Sequence, residues 1–553
     1  MEKNRQKPTQ KKGSNFVVQG VILAAAGIIV RLIGMFYRIP LTNIIGDEGN
    51  GYYTAAYSIY SIMLIVSSYS LPVAVSKMVA ARLATKQYKN SLRILKASLF
   101  YATVVGALAA AALWFGADFF ANAIQMPFSA YAIRTLAPTI WIMAYLGVLR
   151  GYFQGHGTMV PTALSQIFEQ IVNAVVSIAA ASYLFAQGLK SNAVFDETQY
   201  SYAFGAAGGT IGTGAGAFVA LLFVLFLIFT YRPVMRRQAK RDKTGRLDTY
   251  GEISYTLCLT VIPIVVSSAI YNVGSVLDNY IYGDAMAKMG KSALIATTWG
   301  IYMGKYHLLF NIPVAIANSL SSSLIPSLTR AVAARDKRLV KDRVSTVIRF
   351  SMIVAIPSTV GLTILAAPVC NLLFRGDNTE FIRMTMFGSL AVVFFSLSTV
   401  TNGVLQGINR MNVPIRNAVI SLAIHGVMLV VLMYGFKMGI YSVVFTNIVF
   451  AFLMCVLNGA SIRRYLRYRQ EIKKTFVLPT VSAAFMGAAA YGSYRLIFKL
   501  CSSNVIATLG AIGIAVAVYG ALLLKTGCVD EAELQGIPGG RKICRIAIRL
   551  HLM

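Results

Sequence analysis

The sequence predicts an all-α integral membrane protein of fourteen transmembrane helices, arranged as two parallel-repeated six-helix bundles followed by two C-terminal helices. Three observations carry this reading. Of 553 residues, 57% are hydrophobic and only 13% charged, and the mean hydropathy is positive, outside the range of soluble globular chains. Apolar stretches long enough for a crossing, about 20 residues at about 1.5 Å each, recur along the whole chain. Two unrelated sequence patches also recur once each at nearly the same offset, which marks an internal duplication.

The spans fall at 16–45, 51–83, 91–117, 128–152, 158–186 and 201–232 in the first half, and at 250–283, 293–328, 343–374, 379–406, 412–435 and 438–462 in the second. Two more, 475–498 and 503–525, close the membrane part. The corresponding organisation is a basic N-terminus (1–15), an N-lobe (16–232), a basic linker (233–249), a C-lobe (250–462), a basic loop (463–474), the last two helices (475–525) and a tail (526–553). After "MEKNRQKPTQKKGSN" the apolar stretch is too long for a signal-peptide core and has no small-residue cleavage site, so it is expected to stay as an uncleaved first span.

A formal net charge of +31 would suggest a nucleic-acid partner in a soluble chain, but here the distribution decides. Lysine and arginine cluster at alternate connections, as in "RLATKQYKNSLRILK", "RPVMRRQAKRDKTGR", "RAVAARDKRLVKDR" and "RRYLRYRQEIKK", with Arg150, Arg410 and Arg416 on the same side. By the positive-inside rule both termini are cytoplasmic in a multi-pass cell-membrane protein, and no nucleic-acid partner is expected. The outer connections are short. The longest, roughly 187–200, carries Lys190, Asp196 and Glu197 and leaves no room for a catalytic domain.

"GYFQGHGTMVP" (151–161) matches "GVLQGINRMNVP" (403–414), pairing Gly151, Gln154, Gly155, Met159 and Pro161 with Gly403, Gln406, Gly407, Met411 and Pro414. "SLPVAVSKMVAAR" (70–82) matches "SLIPSLTRAVAAR" (323–335), pairing Pro72 with Pro326 and Lys77 with Arg330 within a residue. The offset spans six helices, an even number, so both halves enter the membrane in the same sense. Such parallel repeats rock about a central site in alternating-access transporters.

Polar residues inside spans are costly and mark candidate sites. In "GIIVRLIGMFYRIP", Gly27, Arg31, Gly34 and Arg38 fall at i, i+4, i+7 and i+11, one stripe of a helix. Arg31 lies too deep for its side chain to reach the near interface, whereas Arg38 is open to snorkelling outward. One reading pairs each arginine with a neighbouring carboxylate or carbonyl. The other turns them into a wet cavity that receives an anion, since planar guanidinium suits phosphate.

Span five carries Gln166, Glu169, Gln170, Asn173 and Ser177 on one face, which either lines a cavity or bonds a neighbouring helix. Asp278 and Asn279 in span seven, and Lys305 and His307 in span eight, bring ionisable groups into the second half; a Lys305–Asp278 pair is the structural alternative. Arg134 sits near an outer end, and His425, alone on an apolar helix, reads as packed. Six scattered cysteines form no CxxC pair and read as buried apolar groups. "GTIGTGAG" (209–216) looks like a phosphate loop but has no lysine and no preceding strand, so close helix packing is expected. No nucleophile–base set, metal spacing or nucleotide loop is present. The chain is therefore read as a non-enzymatic transporter without metal or cofactor, driven by an ion gradient or membrane potential.

The two six-helix halves, the Gly–Gln–Gly stretches ending spans four and ten, the arginine-bearing first span and the two added helices resemble the multidrug/oligosaccharidyl-lipid/polysaccharide (MOP) exporter superfamily. Within it the likeness is to the SpoVB/YtgP polysaccharide biosynthesis proteins of Gram-positive bacteria and to MurJ-like lipid II flippases. The resemblance implies a V-shaped pair of bundles around a cationic cavity for the diphosphate and sugar of an undecaprenyl-diphosphate-linked saccharide. It also implies a groove for the lipid tail on the last two helices, and a setting among membrane lipids and other cell-wall synthesis proteins.

The flippases' first-helix "Arg-x-x-Gly" matches Arg31 and Gly34. Their second arginine aligns with Tyr37, one residue short of Arg38, and their second-helix arginine has no counterpart. Their helix-eight arginine falls near Lys305 to Leu308. On this basis Arg31, Gly34 and Arg38 are expected at the diphosphate, Lys305 and His307 to add positive potential, and Glu169 or Asp278 to reset the empty cavity. A cation-coupled multidrug exporter, a flippase for another lipid-linked polysaccharide unit, a membrane enzyme and a non-transporting cell-wall or sporulation scaffold stay open as alternatives.

Overall fold

The computed structural model describes residues 11–242 and 247–528, and all regular structure among them is helical. The chain forms two compact units, Met1–Gly300 and Ile301–Met553. This division does not fall at the basic linker 233–249, where the repeat alone would set it. The first unit holds α1 (Lys11–Leu64), α2 (Leu71–Ala84), α3 (Tyr88–Phe115), α4 (Ala117–Ala123), α5 (Ala130–Gly155), α6 (Val160–Phe195), α7 (Gln199–Lys240), α8 (Tyr250–Lys288) and α9 (Ile295–Gly300). Helix α8 stays with it because Ile253, Leu257 and Val261 join the core built by Leu71, Val75, Leu149, Tyr152 and Val224.

The second unit comprises α10 (His307–Ala333), α11 (Lys337–Ile364), α12 (Ala366–Leu373), α13 (Thr379–Gly388), α14 (Leu390–Gly407), α15 (Asn412–Val430), α16 (Ile440–Leu466), α17 (Leu478–Cys501) and α18 (Asn504–Lys525). Met352, Val400, Val404, Met486 and Ala511 lie in one core, so the two added helices join the same core as α11. Single π-helical turns at Ile65–Tyr69, Ile301–Tyr306, Val431–Gly435 and Lys473–Val477 interrupt the apolar helices.

Twelve stretches among the described residues are long and apolar enough to cross a membrane, against the fourteen expected. One of them runs over 60 residues, Ala25–Ala84, far beyond one bilayer thickness. It breaks at Gly46, whose φ of 69° lies in the left-handed region that a side chain would strain. The expected seventh span lies in α8, which is not among the twelve.

The connection expected at 187–200 is mostly helix. Gly188 lies so close to α7 that a Cβ would meet the Ser201 Cα at 2.5 Å, and the Asn192 amide donates to the Thr198 carbonyl and the Ser201 hydroxyl, both at 3.0 Å. The turn therefore shrinks to the residues around Asp196, which caps α6 in the left-handed region.

The repeated glycines have a shared physical purpose. A Cβ on Gly151 would meet the Pro72 carbonyl at 2.8 Å, and one on Gly155 would meet Val79 at 2.7 Å. In the second unit the equivalents at Gly403 and Gly407 would strike Ser321 and Leu328. The duplicated motif is thus a small-residue seam that lets α5 lie on α2, and α14 on α10, at close range. "GTIGTGAG" is a seam too: a Cβ on Gly212 would meet the Ser177 amide nitrogen at 2.5 Å, and one on Gly216 the Glu169 carbonyl at 2.4 Å. It joins α7 to α6 and cradles no phosphate.

At the opposite end of α1 the backbone itself is the obstacle. A Cβ on Gly51 would stand 2.0 Å from the Ala296 carbonyl oxygen, and one on Gly300 would stand 1.9 Å from that of Asp47. The Asn50 amide donates to the Gly300 carbonyl at 3.1 Å, so α9 is clamped across the start of the second half of α1.

Candidate functional site

The arginine stripe of α1 lies over a polar seam that the α6–α7 packing builds. Gly34 leaves space for Gln170, whose amide nitrogen would stand 3.1 Å from a Cβ there. One turn on, the half-buried Arg38 guanidinium lies over the rings of Tyr53 and Tyr57, 5.7 and 5.9 Å from their centroids. It does not snorkel outward. A cation over a tyrosine face gains electrostatic attraction without a carboxylate partner.

The tyrosines are tied into the helices behind them. The hydroxyls of Tyr37 and Tyr53 stand 3.3 Å apart, and the Asn173 amide donates to Tyr37 at 3.4 Å. The Ser177 hydroxyl lies within bonding distance of both Asn173 Oδ1 (2.9 Å) and the Gly209 carbonyl (2.7 Å), with one proton to give, and Thr213 bonds both Asn173 and the Tyr57 hydroxyl. The polar face of α6 therefore divides: Asn173 and Ser177 join α6 to its neighbours, while Gln170 faces the stripe.

Arg31 differs from Arg38. It is exposed, and among the described residues no carboxylate or hydrogen-bond acceptor reaches its guanidinium. Gly27, one turn earlier, faces open space. The stripe thus offers one free guanidinium and one held by aromatic rings, the first able to present two parallel N–H groups to a phosphate.

Other expected site residues are engaged elsewhere. The Glu169 carboxylate accepts from Arg150 at 2.7 Å, and Arg150 also donates to the Ser165 hydroxyl at 2.8 Å. Arg150, read from the sequence as a loop cation, is buried, its side chain only 8% exposed. Replacing Glu169 with alanine would strand that cation, and loss of one partner of a buried pair costs about 3–5 kcal/mol. The expected result is a marked fall in the melting temperature of the purified protein, largely restored when Arg150 is also replaced by methionine. Unchanged melting of the single variant would show that the pair contributes nothing to the fold.

Asp278 is 5% exposed and Asn279 1%, both enclosed in the first unit. Lys305 lies in the π turn of the second unit, 2% exposed, donates to Asn378 at 3.2 Å and stands 5.5 Å from the Phe374 ring. Lys305 is thus packed and hydrogen-bonded inside the second unit. His307 is half-buried among Tyr302, Tyr306 and Phe310, with centroids 4.9 to 5.7 Å away. Arg134 pairs with Asp118 at 2.5 Å, and His425 is 2% exposed beside Phe450. The five described cysteines form no disulfide with one another, and Cys544 lies outside the described residues.

Sequence reading missed the tyrosine box. Tyr53, Tyr57 and Tyr60 in "YYTAAYSIYS" are spaced i, i+4 and i+7, the same stripe rule that singled out the arginines.

The sequence profile described as polysaccharide biosynthesis protein matches residues 17–332. Among proteins of Bacillus subtilis (strain 168), the chain is 26% identical to lipid II flippase MurJ over 497 residues, covering 86% of this chain and 88% of that one. It is 24% identical to stage V sporulation protein B, covering 96% and 99% respectively. Among solved structures, the inward closed conformation of lipid II flippase MurJ superposes with a TM-score of 0.67 at 12% identity, over 91% of this chain and 98% of that one. The inward-facing conformation of a multidrug resistance MATE family transporter of the MOP superfamily gives 0.61 at 16% identity, over 79% and 95%. The fold is that of the MOP superfamily, and these relatives are named as a flippase, a sporulation protein and a transporter, none as an enzyme. With more than half its length matched by one family profile, and with its glycine seams and arginine stripe, the chain belongs to the polysaccharide biosynthesis protein family.

Proposed function

We propose that this protein is a flippase that carries a polyprenyl-diphosphate-linked cell-wall precursor, with lipid II as the first candidate, from the inner to the outer leaflet by alternating access. The observation that carries the reading is the stripe on α1: a free guanidinium at Arg31 and a ring-held one at Arg38, with Gly34 between them. A diphosphate supplies the charge and the paired oxygens such groups bind best. Moving that head group through hydrocarbon unaided is prohibitive. Both termini face the cytoplasm in this reading, and a gradient or the membrane potential supplies the drive.

A multidrug exporter for cationic compounds needs an available carboxylate. Glu169, the nearest acidic candidate on α6, is neutralised by Arg150. That pairing favours the anionic cargo.

The deciding measurement is exposure of lipid II on the outer face of cells or proteoliposomes, with and without this protein. Protein-dependent exposure is the expected result. No exposure of lipid II, with transfer of another polyprenyl diphosphate saccharide, would reassign the cargo; no transfer of any would overturn the flippase reading and leave the scaffold.

A further inference from the structure

Two adjoining cavities lie at the basic end of the second unit. The smaller, about 490 Å³, is walled by Ile348, Leu397, Ile462 and Phe476, with Arg463 and Arg469 also lining it. The larger, about 860 Å³, is lined by Arg338, Lys341, Arg467 and Arg469, and also by Asp336 and Asp342. Tyr468 and Arg469 belong to both, so an apolar chamber and a cationic one share a wall.

The local chain builds this arrangement. Helix α16 ends at Arg467, whose φ of 48° turns the backbone into the left-handed region and folds Tyr468 inward. Tyr468 is 9% exposed, and its hydroxyl is buried beside Ser345 and Arg349 in the wall that the two cavities share. Arg463 and Arg469 are exposed and have no carboxylate partner among the described residues. Asp336 is already committed, accepting from the Leu339 amide at 2.9 Å as the cap of α11. On the apolar side Gly459 faces open space, and Ile472, 65% exposed, stands at the rim before α17 begins.

An apolar chamber that opens beside unpaired guanidiniums, where two apolar helices end, has the shape of an amphiphile at a membrane interface. Basic pockets between transmembrane helices at that level hold anionic lipid head groups. We propose that this site binds an anionic diacyl phospholipid of the phosphatidylglycerol type, with one acyl chain in the apolar chamber and the phosphodiester between Arg463 and Arg469. The site is independent of the flippase reading and of its cargo.

Native mass spectrometry of the full chain in detergent tests this, using phosphatidylglycerol and phosphatidylcholine with identical acyl chains. Phosphatidylglycerol is expected to stay bound and phosphatidylcholine to be lost. Each cation near an anionic lipid is worth about fivefold, so the double variant R463Q/R469Q weakens binding about 30-fold. Gly459→Leu leaves every charge in place, fills the chamber and also releases the lipid; melting curves establish that both variants fold, and the surface arginine variant carries the test if the leucine one does not. Equal retention of phosphatidylcholine, or undiminished phosphatidylglycerol on R463Q/R469Q, overturns the proposal. So does displacement by inorganic phosphate at matching concentration, which would reduce the site to an ion pocket. Displacement by a polyprenyl diphosphate at matching concentration would make it a cargo groove instead, and equally overturns it.

Discussion

Alanine at Arg31 is expected to abolish rescue of a strain depleted of its own lipid II flippase, while the amount of protein in the membrane stays normal. The reasoning separates fold from function. Arg31 is exposed and has no partner among the described residues, so its loss removes little from the folded state, within about 0.5 kcal/mol for such positions. A charge-assisted hydrogen bond to cargo is worth about 1.5–3 kcal/mol, and two parallel ones exceed that. Lysine at Arg31 keeps the charge but not the planar pair of donors, so it should restore only part of the activity. Arg38→Ala is expected to fail as well, with a modest drop in melting temperature because Tyr53 and Tyr57 lose the cation over their rings. Normal rescue by the Arg31→Ala variant would remove the stripe from the transport cycle.

The second large effect is structural. Gly300→Ala places a methyl group 1.9 Å from the Asp47 carbonyl oxygen and 2.6 Å from the Gly51 amide nitrogen, both backbone atoms that no side-chain rotation can move aside. Overpacking among side chains alone costs about 1–3 kcal/mol, and here α9 must lift away from α1. The expected outcome is a loss of folded protein on expression, or a melting temperature lowered well beyond that of Asn50→Ala, which removes one hydrogen bond worth about 1 kcal/mol. If Gly300→Ala melts with the parent protein, the close crossing is not a feature of the folded state.

Much of the architecture was legible in the sequence because its signals are one-dimensional. Apolar run length located the helices, and the repeated patches marked the duplication; that their glycines are two equivalent helix crossings became visible only in the fold. The site was legible in part. Helical spacing put Gly34 and Arg38 on one face, yet it could not say that Tyr53 and Tyr57 would stand opposite Arg38, since that depends on the turn at Gly46.

Glu169 illustrates a second limit. Spacing shows a polar face on α6, but its partner Arg150 lies on another helix, where charge clustering alone places it among the loop cations. Lys305 illustrates a third. Its place near the substrate was implied by the resemblance alone, and no spacing in span eight shows that it would lie within the π turn Ile301–Tyr306 beside the Phe374 ring.

The placement of α8 and α9 bears on how the protein is made. The first unit is not complete when its six-helix repeat has been synthesised, because its core takes side chains from α8 and its clamp takes Gly300 from α9. A nascent chain paused after the basic linker would carry an unfilled packing surface, and a gene cut there would yield a first fragment without α8 and α9 and a second that carries both without their core. Split versions of this protein should be joined after Gly300, and ribosome-bound intermediates should acquire protease resistance only once that residue has reached the membrane.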